Sequence, residues 1–223
     1  MRDQVATQFP DAASKFVVLP DPVSEDPFAT VDLPEVDQDV FRFITVALFR
    51  EEKRLDLLLR AFADVYQEYQ NTRLMVVGDG PLRHKMRNLT SDLRLAEVVE
   101  FTGLLRANEI AVKYQKCQAF VLSSRVETFG IALVEAQFAG LPAVATRCGG
   151  PEDIVSAESG ILVAANDVGA LVDGMRRLYL NYDRYKPGLI REKAVLEFGE
   201  EIFFERIREL FSEIQYPYNS GKR

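Results

Sequence analysis

Tryptophan is absent from this chain of 223 residues, histidine occurs once (His84) and cysteine twice (Cys117, Cys148). One histidine and two cysteines without ligand spacing exclude a conventional zinc site, and two thiols cannot form a disulfide framework. Reduced thiols and a cytoplasmic location are therefore expected. Long apolar runs are missing too: none approaches the roughly 18 residues that span a bilayer, and no leader pattern opens the chain. No transmembrane segment is expected. A basic excess is also lacking, because the formal net charge is −7. A nucleic-acid partner, which requires a basic footprint, is not expected.

The negative charge is concentrated. Residues 1–40 hold nine acids and two bases, which accounts for the whole excess, and five of the ten prolines. Proline with like charge disfavours a packed element, so this stretch reads as an acidic, Pro-rich connector taking the form of an extended strap. The remainder is formally neutral, and the overall composition of 48% hydrophobic and 27% charged residues is that of a globular domain.

From Phe41 onward, short apolar runs alternate with longer amphipathic stretches. The runs are Phe41–Leu48, Leu74–Val77, Val98–Phe101, Ala119–Leu122, Ala143–Thr146 and Ile161–Val163. Each is too short for a helix and suits a buried parallel strand. Between them, Lys53–Gln70 sets Leu55, Leu58, Leu59, Phe62 and Val65 on one helical face. Helices are also expected over Pro81–Leu93, Asn108–Gln115, Gly130–Ala139, Asp167–Leu180, Arg184–Phe198 and Glu200–Gln215. This alternation predicts a Rossmann-like, doubly wound α/β fold of about six parallel strands with a helical tail. The expected division is a connector over 1–40, a domain over 41–198 and a final helix and tail over 199–223.

In the common strand order 3-2-1-4-5-6, ligands bind beyond the carboxyl ends of strands 1 and 4. That rule nominates the loops Leu48–Lys53 and Ser123–Phe129. The second loop carries Glu127 and leads into a helix in which Glu135 is the sole charge between Phe129 and Gly140. A carboxylate there is costly to bury unless it is hydrogen-bonded, so Glu135 either reaches solvent at an edge or accepts bonds from ligand hydroxyls. Gly130 exposes a helix N-terminus, which can receive a phosphate or simply turn the chain. Across from it, Lys53 could reach a diphosphate held there. Gly78, in Gly78-Asp79-Gly80-Pro81, is sufficiently explained by a tight turn before a helix, with ligand contact as the alternative. Gly103 could let a base lie against the backbone. Asp37-Gln38-Asp39 has the form of a metal-binding Asp-x-Asp motif, but no apolar strand precedes it.

Together these residues carry a family resemblance. Glu127, Phe129-Gly130, Glu135-Ala136, Gly140-Leu141-Pro142, Ala145-Thr146 and Gly149-Gly150 occur in order. So do Val77-Gly78-Asp79-Gly80-Pro81, Phe101-Thr102-Gly103 and Gly160-Ile161-Leu162-Val163. The set resembles the C-terminal, nucleotide-sugar-binding domain of retaining GT-B glycosyltransferases, group 1 (family 4), over most of residues 16–215. Even Val18-Leu19-Pro20-Asp21-Pro22-Val23 is similar to the family's lead-in segment. The resemblance implies a catalytic, sugar-contacting role for Glu127 and a ribose-binding role for Glu135. It implies donor sugar and diphosphate contacts at Thr128, Phe129, Gly130 and Ile131, phosphate neutralisation by Lys53, and nucleotide contacts at Gly78, Gly103, Leu104 and Leu105. It also implies a UDP- or GDP-sugar donor, no metal and no cofactor, and a separate N-terminal acceptor-binding domain as partner. Peripheral membrane association is the membrane role left open for such a full enzyme, and the isolated chain is expected to be inactive. One departure stands out: where the family carries Gly-Arg five residues before the lysine, this chain has Ala47-Leu48, with Arg50 as the available substitute.

Three other readings compete. A nicotinamide-binding domain would need Gly-x-Gly-x-x-Gly after strand 1, and Ala47 to Arg54 contains no glycine. A non-catalytic nucleotide-binding or interaction module of the same fold draws its support from Leu48. A GT-B sugar epimerase or phosphorylase would share the framework.

Overall fold

The computed structural model describes residues 7, 8, 17, 19, 21–29, 32–34 and 39–213. Six parallel strands form one sheet: β1 (Phe41–Val46), β2 (Thr72–Val77), β3 (Val99–Gly103), β4 (Ala119–Leu122), β5 (Ala143–Arg147) and β6 (Gly160–Ala164). Their order is β3-β2-β1-β4-β5-β6. The expected order is therefore observed, with its reversal between β1 and β4, whose register pairs Phe43 with Ala119 and Ile44 with Phe120.

The apolar runs become strands because both sheet faces are covered. Side chains alternate across a strand, so Phe43 and Ile44 point to opposite sides and both are wholly buried. On Phe43's side lie α2 (Leu55–Glu68), α3 (Arg83–Asp92) and α7 (Val168–Leu180), supplying Leu58, Phe62, Met86 and Met175. On Ile44's side lie α4 (Ala107–Gln115), α5 (Ile131–Phe138) and α8 (Pro187–Phe198), supplying Tyr114, Leu133, Phe138 and Phe198. Each such side chain contributes roughly 1.5–3 kcal/mol by leaving water. Two short helices complete the packing, α1 (Asp26–Ala29) ahead of the sheet and α6 (Pro151–Ile154) after β5.

Two helix expectations need correction. Lys53–Gln70 is not one helix: a 3-10 turn over Glu51–Lys53 is separated from α2 by Arg54, whose φ of 47° and ψ of 41° are left-handed. That conformation is uncommon for a residue with a Cβ. The Arg54 guanidinium bonds to Asp56 at 3.1 Å and to Asn166, which fixes the turn in place. Arg184–Phe198 is likewise divided into a 3-10 turn over Tyr182–Arg184 and α8, because Pro187 starts the second helix and holds Lys186 extended.

The described part of the strap before β1 lies against the domain. Val23 and Phe28 are buried, and the Phe28 ring meets Tyr114 at 6.2 Å and Phe138 at 5.9 Å between centroids. Val23 pairs with Gly199, and Glu25 accepts a bond from the Glu200 amide at 3.0 Å. Removing the ring should open a cavity, so Phe28→Ala is expected to cost about 3 kcal/mol in urea unfolding. An unchanged midpoint would show that the strap is only loosely applied. Val18, Pro20, Asp37, Gln38 and residues 214–223, which carried sequence expectations, lie outside the described residues. The last helix, α9 (Glu200–Glu213), leaves Phe204 and Phe211 exposed at 46% and 71%.

Candidate functional site

Because all strands are parallel, every loop that follows a strand emerges at one edge. The loops after β1 and β4 flank the reversal and are stitched together there. The Ser123 hydroxyl donates to the Lys53 carbonyl at 2.9 Å, and the Arg125 amide donates to the Glu52 carbonyl at 2.7 Å. From below, the Thr146 hydroxyl on β5 donates to the Ser124 carbonyl at 2.6 Å. These bonds hold the two backbones so that Lys53 Nζ meets Glu127 Oε2 at 2.5 Å, with side-chain exposures of 24% and 16%.

The loop after β5 braces Glu127 from the other side. The Glu127 amide donates to the Cys148 carbonyl at 3.0 Å, and the Gly150 amide donates to the Glu127 carbonyl at 2.8 Å. The Glu152 carboxylate caps that loop by accepting from the Cys148 and Gly149 amides at 3.0 and 3.1 Å. Gly149 has φ +120°, and a Cβ there would stand 2.4 Å from the Glu127 carbonyl oxygen. Both features require glycine.

Helix α5 starts at Gly130 (φ 116°, ψ 52°) with no side-chain cap. Its first amides thus lack intrahelical acceptors and face the cleft, the arrangement that favours an anion. The cleft has a volume of about 440 Å³. Lys53, Glu127, Thr128, Phe129, Gly130, Ile131 and Glu135 all line it. Glu135 is half-buried among apolar groups, and burial pushes its carboxyl up to about 7. Among the described residues it has no hydrogen-bond or ion-pair partner. It is a strong acceptor kept ready at the price of desolvation. Beneath it, the Tyr114 phenol donates to the Ala132 carbonyl at 3.0 Å, and burial, followed by the charge of Glu135, raises its pKa.

Other sequence candidates are placed elsewhere. Arg50 is exposed and outside the lining, so it does not fill the position of the missing arginine. Leu48, 48% exposed, lines the cleft in its stead. Gly78 also stands outside the lining, with φ +125° and a Cβ position 2.0 Å from the Ala47 carbonyl oxygen. Its amide donates to the Gly103 carbonyl at 2.9 Å, so backbone packing accounts for this glycine. Gly103 itself (φ +78°) has open space where a Cβ would point. Leu104 beside it is 71% exposed, whereas Leu105 packs on the core. Two lining residues escaped the sequence reading, Asp21 and Thr45. Thr45, buried on β1, carried a signal as the lone hydroxyl in an apolar run. Asp21 carried none, because only the docking of the strap brings it near.

Among the described residues, no group of three or more His, Cys, Asp or Glu side chains could hold a metal ion. No described helix is long and apolar enough to cross a membrane.

Comparison with known proteins agrees with this geometry. The chain is 34% identical over 140 residues to a GDP-mannose-dependent alpha-(1-6)-phosphatidylinositol monomannoside mannosyltransferase of Mycolicibacterium smegmatis, covering 58% of this chain and 37% of that protein. To N-acetyl-alpha-D-glucosaminyl L-malate synthase of Bacillus anthracis it is 29% identical over 182 residues, covering 80% and 47%. The chain thus spans about a third to a half of the length of these relatives. Among solved structures, the apo lipopolysaccharide outer core galactosyltransferase WaaB superposes with a TM-score of 0.82 at 22% identity, covering 96% of this chain and 60% of that one. At that identity the likeness shows the fold, a Rossmann-like half of a GT-B protein. Residues 34–188, well over half the chain, match the glycosyl transferases group 1 family, and with the cleft built as described the chain belongs to that family.

Proposed function

We propose that this chain is the donor-binding half of a retaining, metal-independent glycosyltransferase of family 4, which transfers a sugar from a nucleoside-diphosphate sugar to an acceptor held by a second domain. The observation that carries the reading is the convergence of Lys53, Glu127 and Glu135 on one cleft at the mouth of α5. In this arrangement the diphosphate lies between the Lys53 ammonium and the α5 amides. Glu127 accepts bonds from the donor sugar and Glu135 from the ribose hydroxyls. Thr128, Phe129 and Ile131 wall the sugar and diphosphate, and the open Gly103–Leu104 edge receives the base. The mannosyltransferase relative is GDP-mannose-dependent, and the similarly folded Anabaena HepE was solved with UDP and glucose; both support a nucleotide-sugar donor. Such chemistry suits a cytoplasmic location, with peripheral membrane association open to a complete enzyme.

A charge-assisted hydrogen bond contributes about 1.5–3 kcal/mol and a helix N-terminus about 0.3–1 kcal/mol. Their sum approaches the roughly −4.1 kcal/mol of a millimolar complex, so this half alone binds nucleotide sugar weakly and does not turn it over. Titration of the chain with UDP-glucose and GDP-mannose, followed by amide NMR, should shift the 48–53 and 123–135 loops. Lys53→Met should remove the response. Saturating ligand without shifts in either loop would reject the donor-binding reading. Leu48 favours a second reading, a nucleotide-binding module without catalysis, because it replaces a cation with an apolar side chain in the cleft. Sugar transfer reconstituted by adding an acceptor-binding domain would exclude that alternative.

A further inference from the structure

The cleft is poor in positive charge for a diphosphate site. Its lining contains one base, Lys53, against three carboxylates, Asp21, Glu127 and Glu135. Ala47 and Leu48 add apolar surface on the β1 side, while Arg50 and Arg125 are exposed and outside the lining. Moreover, the single lysine is already engaged, with its ammonium 2.5 Å from the Glu127 carboxylate. Any phosphate that takes Lys53 must draw it from Glu127. Among the described residues that carboxylate has no second side-chain partner, since its neighbours in the loop are bonded through their backbones.

Separating a part-buried ion pair is costly when one member is left uncompensated. The two kinds of diphosphate differ in how they answer that cost. A sugar-bearing diphosphate brings hydroxyl donors to Glu127 as it takes the lysine, and its phosphates are both esterified. A bare nucleoside diphosphate brings no donor to Glu127. Its terminal phosphate has a second pKa of about 6, so at neutral pH it adds further negative charge beside the orphaned carboxylate.

We propose that the Lys53–Glu127 pair is a specificity device that admits sugar-bearing diphosphates and disfavours bare ones. The inference rests on the donor-binding reading above and deepens it: Glu127 determines which diphosphate stays, besides contacting the sugar. Once the sugar has been transferred, the remaining nucleotide is the bare form, and the same pair then re-forms behind it.

The test is calorimetric titration of the full chain at pH 8 with UDP, UDP-glucose, GDP and GDP-mannose. The wild type should prefer the sugar-bearing member of its matching base pair of ligands. In Glu127→Gln the affinity ratio should move about tenfold toward the bare diphosphate, which corresponds to about 1.4 kcal/mol. Glu127→Asp, which keeps the charge and loses reach, should bind the sugar-bearing ligand more weakly while still disfavouring the bare one. If the Gln variant does not fold, the Asp variant alone decides, because a gain in affinity for bare diphosphate there would overturn the proposal. A ratio within roughly twofold of wild type in a folded Glu127→Gln would do the same. Absence of binding by any of the four probes to wild type would instead remove the donor-binding reading, and the inference with it.

Discussion

Gly150→Ala is expected to lower the unfolding free energy by about 3 kcal/mol and to abolish nucleotide-sugar binding. A Cβ at this position would stand 1.9 Å from the Phe129 carbonyl oxygen and 2.4 Å from its carbonyl carbon and Cα. These are backbone atoms with no rotamer to escape into. The Gly150 amide also donates to the Glu127 carbonyl at 2.8 Å, so displacing either strand of this contact drags Glu127 away from Lys53 and alters the first turn of α5. Gly188→Ala is the matched control. Its added methyl would meet only a Leu33 methyl at 3.9 Å, in the first turn of α8. There, loss of backbone entropy from the unfolded chain should make alanine neutral or stabilising by up to about 1 kcal/mol. Urea unfolding and calorimetric titration of both variants provide the comparison. Wild-type binding by Gly150→Ala would mean that the β5 loop does not brace the cleft.

The second large effect is a pH dependence with opposite signs for binding and for stability. Burial pushes the Glu135 carboxyl from 4.5 up to about 7. Ligand hydroxyls donate to the ionised form, so binding must remove the proton below that value. At pH 6 only about a tenth of the carboxyl is ionised, and affinity for a nucleotide sugar should be roughly tenfold weaker than at pH 8. A nucleotide sugar is the proper probe because its esterified phosphates do not titrate in this range. Glu135→Gln should flatten the profile at the lower affinity. Stability runs the other way, since the folded chain holds this proton more tightly than the unfolded one. The burial penalty is absent below about 4.5 and complete above about 7. Glu135→Gln should therefore stabilise the protein by on the order of 2 kcal/mol at pH 8 and by nothing measurable near pH 4. A variant that binds as tightly as wild type at pH 8 would sink the ribose assignment. The cleft thus keeps an acceptor whose desolvation the fold must offset elsewhere.

The sheet was legible in the sequence because burial on both faces writes apolar runs that no surface strand needs. Lys53, Glu127 and Glu135 were legible for a related reason: strand order alone brings the loops after β1 and β4 together. The features that were not legible depend on contacts distant in sequence or on backbone conformation. Arg54 adopts a left-handed turn that composition does not signal, and so a 3-10 turn and α2 read as one helix. Asp21 reaches the cleft through Val23 and Phe28, which sit in a stretch whose prolines and acids indicate only an extended strap. Gly78 resembles a ligand glycine by motif, yet the Ala47 carbonyl 2.0 Å from its Cβ position explains it. Chemistry that follows from period and topology was read correctly, and chemistry that follows from one close approach was not.

The pairing of Val23 with Gly199 has a mechanical consequence. The chain enters and leaves the sheet's domain side by side, with the Val23 amide on the Phe198 carbonyl at 3.3 Å and Glu25 on the Glu200 amide. Torque applied to the incoming strap or to α9 is therefore delivered to the same few residues. Rotation about that shared fulcrum leaves every strand register untouched, and the cleft, walled on one side by Asp21 from the strap, changes width as the lever turns.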